Sequence, residues 1–443
     1  MIYILFIILL VIAIIIYLLN KRNILLPSFI TTVVFIIGTM VYIFCYKKYG
    51  YDISLKTMLV IIASILSIFA GEVFCKFGKY QFKFTSKTYK KNAIGSENII
   101  FSMAEINIPY KITFIFIIVE IIAAVRRAYS LIQIGKEIGF TGDVRMLISS
   151  TRGVLTNSIY TIDTLTQFFC SIAAAIAYLF FYYFLREKII FKKNHYLYLC
   201  VVLIYFIMQI FSTGRQGFIE IIIIAFVESV LITYNSKMRK NSIFKSGDNI
   251  KYAIFSLLCI IVIFYFYGMY FRHSSNSLID SLGEYVAAPL FGLNDFLNNR
   301  WEKNNYLGQY TFKNYYYYLN KFGSNYNLVS DHLPFFNCAK TSSNVYTGLV
   351  LPIQDFGVGG MIITRFFIGI IYSELLYQIK HCLSKSNQWH IFKSVLFSYM
   401  MVAVAYSSIA DKYKEFFTVT SFPLLILSLA IINKVCISIQ KFE

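Results

Sequence analysis

Apolar runs of about twenty residues recur along the whole of this 443-residue chain. A run of that length is what an α-helix needs to cross the hydrocarbon core of a bilayer. Because backbone polar groups inside a bilayer must bond to one another, such runs form helices or a closed barrel. The runs are apolar throughout and do not alternate between apolar and polar residues as the strands of a membrane barrel do, which excludes the barrel. The sequence therefore predicts an all-α integral membrane protein.

A single membrane domain, residues 1–443, is the expected organisation. Hydrophobic residues make up 58% of the chain and charged residues 14%, and no stretch between the apolar runs is long enough for a separate soluble domain. We predict eleven spans, within a range of about 10–13. They are residues 2–19, 25–45, 57–75, 112–125, 165–185, 196–211, 218–234, 252–270, 358–379, 395–410 and 417–432. Glu120 interrupts the fourth span, whose helix is expected to continue past Arg126. The first run has no basic segment before it, so it is expected to be a permanent span rather than a cleaved signal peptide.

Lysine and arginine are distributed differently between the two sides of the predicted bundle. Placing residues 271–350 outside gives the cytoplasmic loops most of the basic residues, as the positive-inside rule requires. On that assignment lysine divides 20 inside to 10 outside, whereas arginine divides 3 inside to 7 outside. A guanidinium is a rigid fork suited to bidentate contact with phosphate. The arginine excess therefore indicates a phosphorylated ligand on the outer face, with ordinary contacts to lipid headgroups as the alternative.

The formal net charge of +19 reflects mainly lysines that face the anionic inner leaflet, so no nucleic-acid partner is predicted. None of the eight cysteines belongs to a CxxC pair, and most lie in or beside apolar runs. Neither a disulfide framework, a metal site nor a cofactor is expected.

Two outer loops, residues 126–164 and 271–350, are long enough to build a site. The larger contains "SLIDSLGEYVAAPLFGLNDFL" and "TFKNYYYYLNKFG", which have the pattern of amphipathic helices at the outer interface, with tyrosines at headgroup level. Membrane anchoring alone would explain those tyrosines. A transporter usually has short connections and internal repeats, and neither is evident here.

Three segments of the chain resemble one known family. They are "STGRQGFIEIIIIAF", "GQYTFKNYYYYLNKFG" and above all "NVYTGLVLPIQDFGVGG", residues 344–360. Together they resemble the Wzy-type oligosaccharide repeat-unit polymerases. These enzymes build the O antigen of lipopolysaccharide and the polysaccharides of capsules. The resemblance covers roughly the C-terminal half; the N-terminal spans match only in hydropathy.

The resemblance implies an enzyme of the bacterial cytoplasmic membrane whose active site faces the outside. Such a polymerase transfers a growing glycan from one undecaprenyl diphosphate carrier to the nonreducing end of a new lipid-linked repeat unit. It also implies a fold resembling the GT-C glycosyltransferases, and a flippase and a chain-length regulator as partners.

The transfer needs a cationic clamp for the diphosphate, a base for the acceptor hydroxyl and a groove for sugars. Arg215 lies in a short turn at headgroup depth and is the first candidate for the clamp, with Arg145, Arg152 and Arg272 as partners. The alternative is that Arg215 contacts the phosphates of ordinary membrane lipids.

Candidates for the base come from the acidic residues and histidines of the outer loops. They are His273, Glu284 and Asp355, with Asp295, Asp331 and His332 also available. His273 follows Arg272 and is suited to act as a base near neutral pH if that cation lowers its pKa; the alternative is an ordinary solvated loop histidine. Asp355 precedes Phe-Gly-Val-Gly and is equally suited to cap a helix. Glu284 and Asp295 would share one face of a continuous α-helix.

Ionisable residues inside the spans are costly in lipid and are expected to face the bundle interior. They are Glu72, Glu120, Glu220, Glu228, Glu374 and Arg365. Arg365 is expected to pair with one of the acids. Because a proton relay would use similar residues, a flippase or exporter stays open as an alternative to the polymerase, as does an O-antigen ligase.

Overall fold

The computed structural model describes residues 1–20, 22–45, 52–86, 105–156, 162–212, 214, 216–239, 258–259, 262, 283–299, 304, 306–329, 333–338, 342–381 and 387–439. Its helices are α1 (Ile2–Leu19), α2 (Pro27–Phe44), α3 (Leu55–Ser86), α4 (Tyr110–Glu137), α5 (Val144–Thr156), α6 (Thr164–Arg186), α7 (Tyr196–Ile210), α8 (Gln216–Arg239), α9 (Ala288–Asn299), α10 (Lys313–Lys321), α11 (Val350–His381), α12 (Asn387–Ala405) and α13 (Ser421–Ile439). Short π-helices occupy Glu187–Phe191 and Gly283–Ala287, and a 3₁₀ helix occupies Tyr413–Phe417. Strands β1 (Phe336–Asn337) and β2 (Ser342–Ser343) pair antiparallel.

The prediction of an all-α membrane protein is confirmed. Within the described residues, seven helices are long and apolar enough to cross a bilayer: α1, α2, α3, α6, α8, α11 and α13. Ten of the predicted spans each coincide with a helix, and α4 continues past Arg126 as expected. The span at 252–270 lies almost wholly outside the described residues, so the total of eleven stays a prediction.

Local sequence explains where several helices begin. Pro27 stands at the first turn of α2, where a missing N–H costs nothing. Asp163 caps α6, since its carboxylate accepts from the backbone N–H of Thr166 at 2.8 Å and from the hydroxyl of the same residue at 2.7 Å. These caps set the point at which each chain segment enters the bundle.

The bundle is packed around two large apolar clusters. One is built on α6 and α7, with α4, α8, α12 and α13 around it, and the other joins α1, α2, α3, α9 and α11. The ionisable residues of the spans face inward as predicted: Glu72, Glu120, Glu228 and Arg365 are buried, and Glu220 and Glu374 are partly buried.

The Gly283–Asn299 segment corrects one expectation. It is helical, but it does not lie at the surface, because most of α9 is buried against the protein. Leu290 packs on Gly38 of α2, and Asn294 Oδ1 accepts from Ser54 N at 2.8 Å and from Thr57 Oγ1 at 2.9 Å. The apolar face of this helix therefore covers the bundle rather than lipid.

Two glycines allow α3 and α11 to touch backbone to backbone. A Cβ on Gly71 would lie 2.1 Å from the carbonyl oxygen of Phe366, and a Cβ on Gly369 would lie 2.1 Å from that of Ile68. Small residues at such contacts are how membrane helices pack closely without a hydrophobic driving force.

Replacing Gly369 with alanine is expected to lower stability by about 1–3 kcal/mol, because the added methyl group must force the two helices apart. Thermal unfolding of the detergent-purified protein measures the effect. Gly359→Ala in the same helix is the matched control, since a Cβ there meets no atom within 4 Å. Equal melting temperatures for the two variants would show that α3 and α11 are not in this close contact.

Candidate functional site

Helix α11 contains a break that reverses the course of the chain. Gly357 has φ 70° and ψ 178°, a conformation open only to glycine. The guanidinium Nη2 of Arg365 donates to the carbonyl oxygen of Gly348 at 2.5 Å. A straight helix would hold residues 348 and 365 about 25 Å apart. The first turns of α11 therefore fold back at Gly357 over the longer second part.

We call the end of the bundle that carries this break the loop end. Residues 406–417 lie between α12 and α13, and we call them the connecting segment. Contacts at the loop end join the starts of α8 and α11 to this segment. Gly348 N donates to Ser407 O at 2.9 Å, and Tyr406 Oη donates to Gln216 O at 3.5 Å. Gly348 is needed because a Cβ would lie 2.8 Å from the Ala410 carbonyl oxygen.

Arg365 is buried at this junction without a carboxylate partner. Its side chain is 1% exposed, and Cζ lies 4.5 Å from the ring centroid of Tyr413. Its Nε and Nη1 atoms are shielded from solvent, and no carboxylate or carbonyl oxygen of the described residues accepts a hydrogen bond from them. Among the described residues no acid forms an ion pair with it, so the predicted pairing of Arg365 with an acidic residue of the spans is wrong there.

A second buried cation, Lys412, is fully paired. Its Nζ lies 3.0 Å from Glu220 Oε1 of α8 and 2.5 Å from Glu415 Oε1. Gln216 Nε2 also donates to Glu220, at 2.6 Å. Burial alone lowers the pKa of Lys412, but the two carboxylates outweigh it and raise that pKa above its ordinary value. Lys412 therefore stays charged and ties the connecting segment to α8.

The carboxyl group of Asp411 interacts electrostatically with the Arg365 guanidinium. Its Oδ1 accepts from Tyr413 N at 2.9 Å. Burial raises the pKa of the Asp411 carboxyl, and the Arg365 guanidinium opposes that rise. A carboxyl with a raised pKa compensates the arginine only in part.

Asp355 holds an outer segment against the helix break. Its Oδ1 accepts from Asn304 Nδ2 and Tyr310 N, both at 3.0 Å. Its Oδ2 accepts from Thr311 N at 2.7 Å and Thr311 Oγ1 at 2.6 Å. The prediction that Asp355 caps its own helix is wrong, because it lies within α11 and binds residues 304–311 instead. Each oxygen of the Asp355 carboxylate accepts two hydrogen bonds, so neither is free to take a proton from a substrate. This arrangement suits a residue that positions the segment better than it suits a general base.

The segment after these contacts carries exposed tyrosines. Helix α10 is confirmed where it was predicted, and none of its residues is buried. The rings of Tyr306, Tyr316 and Tyr326 contact one another, with centroids 4.7–5.3 Å apart. Phe312 packs on Phe417 of the connecting segment at 5.3 Å. The tyrosine-bearing helix is thus fixed over the site rather than attached loosely.

The remaining predicted site residues are distributed as follows. Arg215, Arg272 and His273 lie outside the described residues, as do Asp331 and His332. Arg145 and Arg152 lie on α5, seven residues and so two turns apart on one face; their side chains are outside the description. Glu284 lies in the π-helix Gly283–Ala287, so the continuous α-helix assumed between it and Asp295 does not hold.

Sequence reasoning missed the connecting segment. Its signal is "DKYKEFF", a run of four charged residues among seven between two apolar helices. Among the described residues no group of three or more His, Cys, Asp or Glu is placed to hold a metal ion.

The chain matches no family model, curated protein or solved structure to which it was compared.

Proposed function

We propose that this protein polymerises lipid-linked oligosaccharide repeat units on the outer face of a bacterial cytoplasmic membrane. The growing glycan passes from its undecaprenyl diphosphate carrier to the nonreducing end of a new repeat unit on a second carrier. The observation that carries the proposal is the convergence of the three resembling segments at the loop end. They are distant in sequence, yet each contacts another of them or the connecting segment.

The contacts behind this convergence are specific. Asp355, in the third resembling segment, binds Thr311 of the second. Phe312 of the second segment packs on Phe417, and Glu220 of the first pairs with Lys412. Both of those partners belong to the connecting segment. Such a meeting of cations, amides and tyrosines is what a reaction between a lipid diphosphate and a sugar hydroxyl requires.

The chemistry assigns roles to the candidate residues. The acceptor hydroxyl oxygen attacks the anomeric carbon of the donor, the bond from that carbon to the diphosphate breaks, and the hydroxyl proton passes to a base. Arg145, Arg152, Arg215 and Arg272 are the candidate clamp for the departing diphosphate. His273 and Glu284 are the candidates for the base, whereas the contacts of Asp355 give it a positioning role.

Polymer length in the native host tests the proposal. Arg215→Lys and Arg215→Ala are both expected to remove the ladder of long glycans and leave single repeat units, because neither side chain offers the bidentate fork. Arg126→Gln is the control, since Arg126 pairs with Asp163 at 3.1 Å and is half-exposed. Membrane levels are checked with a tag. An unaltered ladder in both Arg215 variants would contradict the clamp.

A proton-coupled flippase or exporter is the second candidate. Glu120 and Glu228 are fully buried in α4 and α8, and both oxygens of each lack a hydrogen-bond partner. Such carboxyls suit a proton relay. Repeat units that accumulate on the cytoplasmic leaflet when the gene is deleted would favour this candidate, and accumulation on the outer leaflet would favour the polymerase.

A further inference from the structure

Arg365 carries a positive charge that the described residues compensate only in part, through the electrostatic effect of Asp411. A buried ion without a partner costs several kcal/mol, so proteins rarely keep one unless it is used. Lys412, close by, shows the usual solution, because two carboxylates bind it. Arg365 has instead one backbone carbonyl and the face of Tyr413. Its Nε and Nη1 groups are therefore able to bind an anionic ligand.

The residue that covers Arg365 is Tyr413, which belongs to the connecting segment, a short stretch outside the membrane-spanning helices. Space is open beside the break, since a Cβ on Gly357 or Gly359 would meet no atom of the described residues within 4 Å. The second part of α11 begins there, with its N-terminus towards the opening. A helix N-terminus and a guanidinium both favour a phosphate anion.

We infer that Arg365 is a binding residue for a diphosphate anion, closed in this structure by Tyr413 and exposed when the connecting segment moves away from the helix break. The inference rests on the proposed function, which brings a lipid-borne diphosphate to this end of the bundle. Arg365 then holds the diphosphate from within the bundle, and the loop arginines hold it from outside. The closed state keeps water and ordinary lipid headgroups from the guanidinium.

Thermal protection of the purified full-length protein tests this site without any need for activity. The probes are inorganic pyrophosphate, farnesyl diphosphate and phosphatidylglycerol in detergent. Both diphosphates are expected to raise the melting temperature of the wild type, and Arg365→Met to weaken their binding at least about tenfold, the loss of one charged hydrogen bond. Without ligand, Arg365→Met is expected to melt no lower than the wild type, because an uncompensated buried charge is removed. A merely structural arginine would give a lower melting temperature.

Two further variants keep the test decisive if Arg365→Met folds poorly. Tyr413→Ala removes the cover, so it is expected to strengthen pyrophosphate binding by raising the fraction of open protein. Arg365→Lys retains the charge and is expected to bind more weakly than the wild type but more tightly than Arg365→Met. Arg126→Gln is the control and is expected to bind as the wild type does.

Each contrary outcome has its own meaning. Protection by both diphosphates that persists in Arg365→Met overturns the inference. Equal protection by phosphatidylglycerol, also lost in Arg365→Met, would make the residue an ordinary headgroup contact and overturn its specificity for diphosphate. In the host, a normal ladder with Arg365→Met beside a lost ladder with Arg215→Ala would reject this inference and leave the polymerase standing. Repeat units held on the cytoplasmic leaflet after gene deletion would reject the polymerase itself.

Discussion

Changing Lys412 to methionine is expected to destabilise the protein by about 3–5 kcal/mol, the cost of removing one partner from a buried ion pair. The substitution leaves Glu220 and Glu415 facing each other with no cation between them, and the side chain of Glu220 is only 13% exposed. Denaturant or thermal unfolding of the detergent-purified protein measures the loss.

The sign of the pH dependence follows from the raised pKa of Lys412. Its contribution to stability is fully present below the ordinary pKa of lysine, about 10.4, and is lost as pH rises through the higher value in the folded protein. The contribution is therefore constant at neutral pH. Wild-type stability should show the loss only in strongly alkaline solution.

Lys414→Met provides the matched control, because Lys414 lies two residues away, in the 3₁₀ helix that follows Lys412, and forms no ion pair within the described residues. It is expected to unfold like the wild type. Adding Glu220→Gln to Lys412→Met should restore part of the lost stability, since one uncompensated charge disappears. Unfolding of Lys412→Met at the wild-type midpoint would mean that the connecting segment is not held by this network.

The second large effect is expected from Asp355→Ala. Four hydrogen bonds to one carboxylate disappear together, each of a charged kind that contributes about 1.5–3 kcal/mol. Residues 304–311 then lose their attachment to the helix break, and α10 loses its position over the site. We expect polymer synthesis to fall about 100-fold or more, as a misplacement of about 1 Å can cost in an active site.

Hydrogen exchange separates this effect from general unfolding. The amides of Tyr310 and Thr311 should exchange much faster in Asp355→Ala, whereas the amides of α3 and α11 within the bundle should keep their protection. Asp163→Ala is the matched control: it removes a carboxylate that accepts similar bonds at the start of α6. That change should cost about 1 kcal/mol and leave polymer length intact. Slow exchange at both amides in Asp355→Ala would show that another contact holds the segment.

Hydropathy predicted the bundle because each span meets the requirements of the membrane within its own twenty or so residues: apolar side chains and backbone hydrogen bonds inside the helix. The site could not be predicted in the same way, because it depends on which distant residues meet. The predicted span at 358–379 begins directly after the break at Gly357, but nothing in the hydropathy pattern showed that the residues before it fold back and bring residue 348 to Arg365. Asp355 illustrates the same limit: its partners lie 44–51 residues earlier in the chain.

Two errors share a physical cause. Arg365 was expected to pair with an acid because burial in lipid demands compensation, and the helix Ala288–Asn299 was expected at the interface because it is amphipathic. Both expectations follow from averages over membrane proteins. In this protein the arginine is left with a carbonyl and an aromatic ring, and the amphipathic helix finds an apolar surface of the bundle to cover.

The glycine contact between α3 and α11 involves only the second part of α11. In that part, which follows Gly357, the backbone at Gly369 packs directly on the backbone at Ile68, so this half of the helix is held in place. Before Gly357, the chain is held by a small number of hydrogen bonds, which include Gly348 N to Ser407 O and the contacts of Asp355. We therefore expect Gly357 to act as a pivot, at which the first turns of α11 move over a substrate while the half that packs on α3 stays in place.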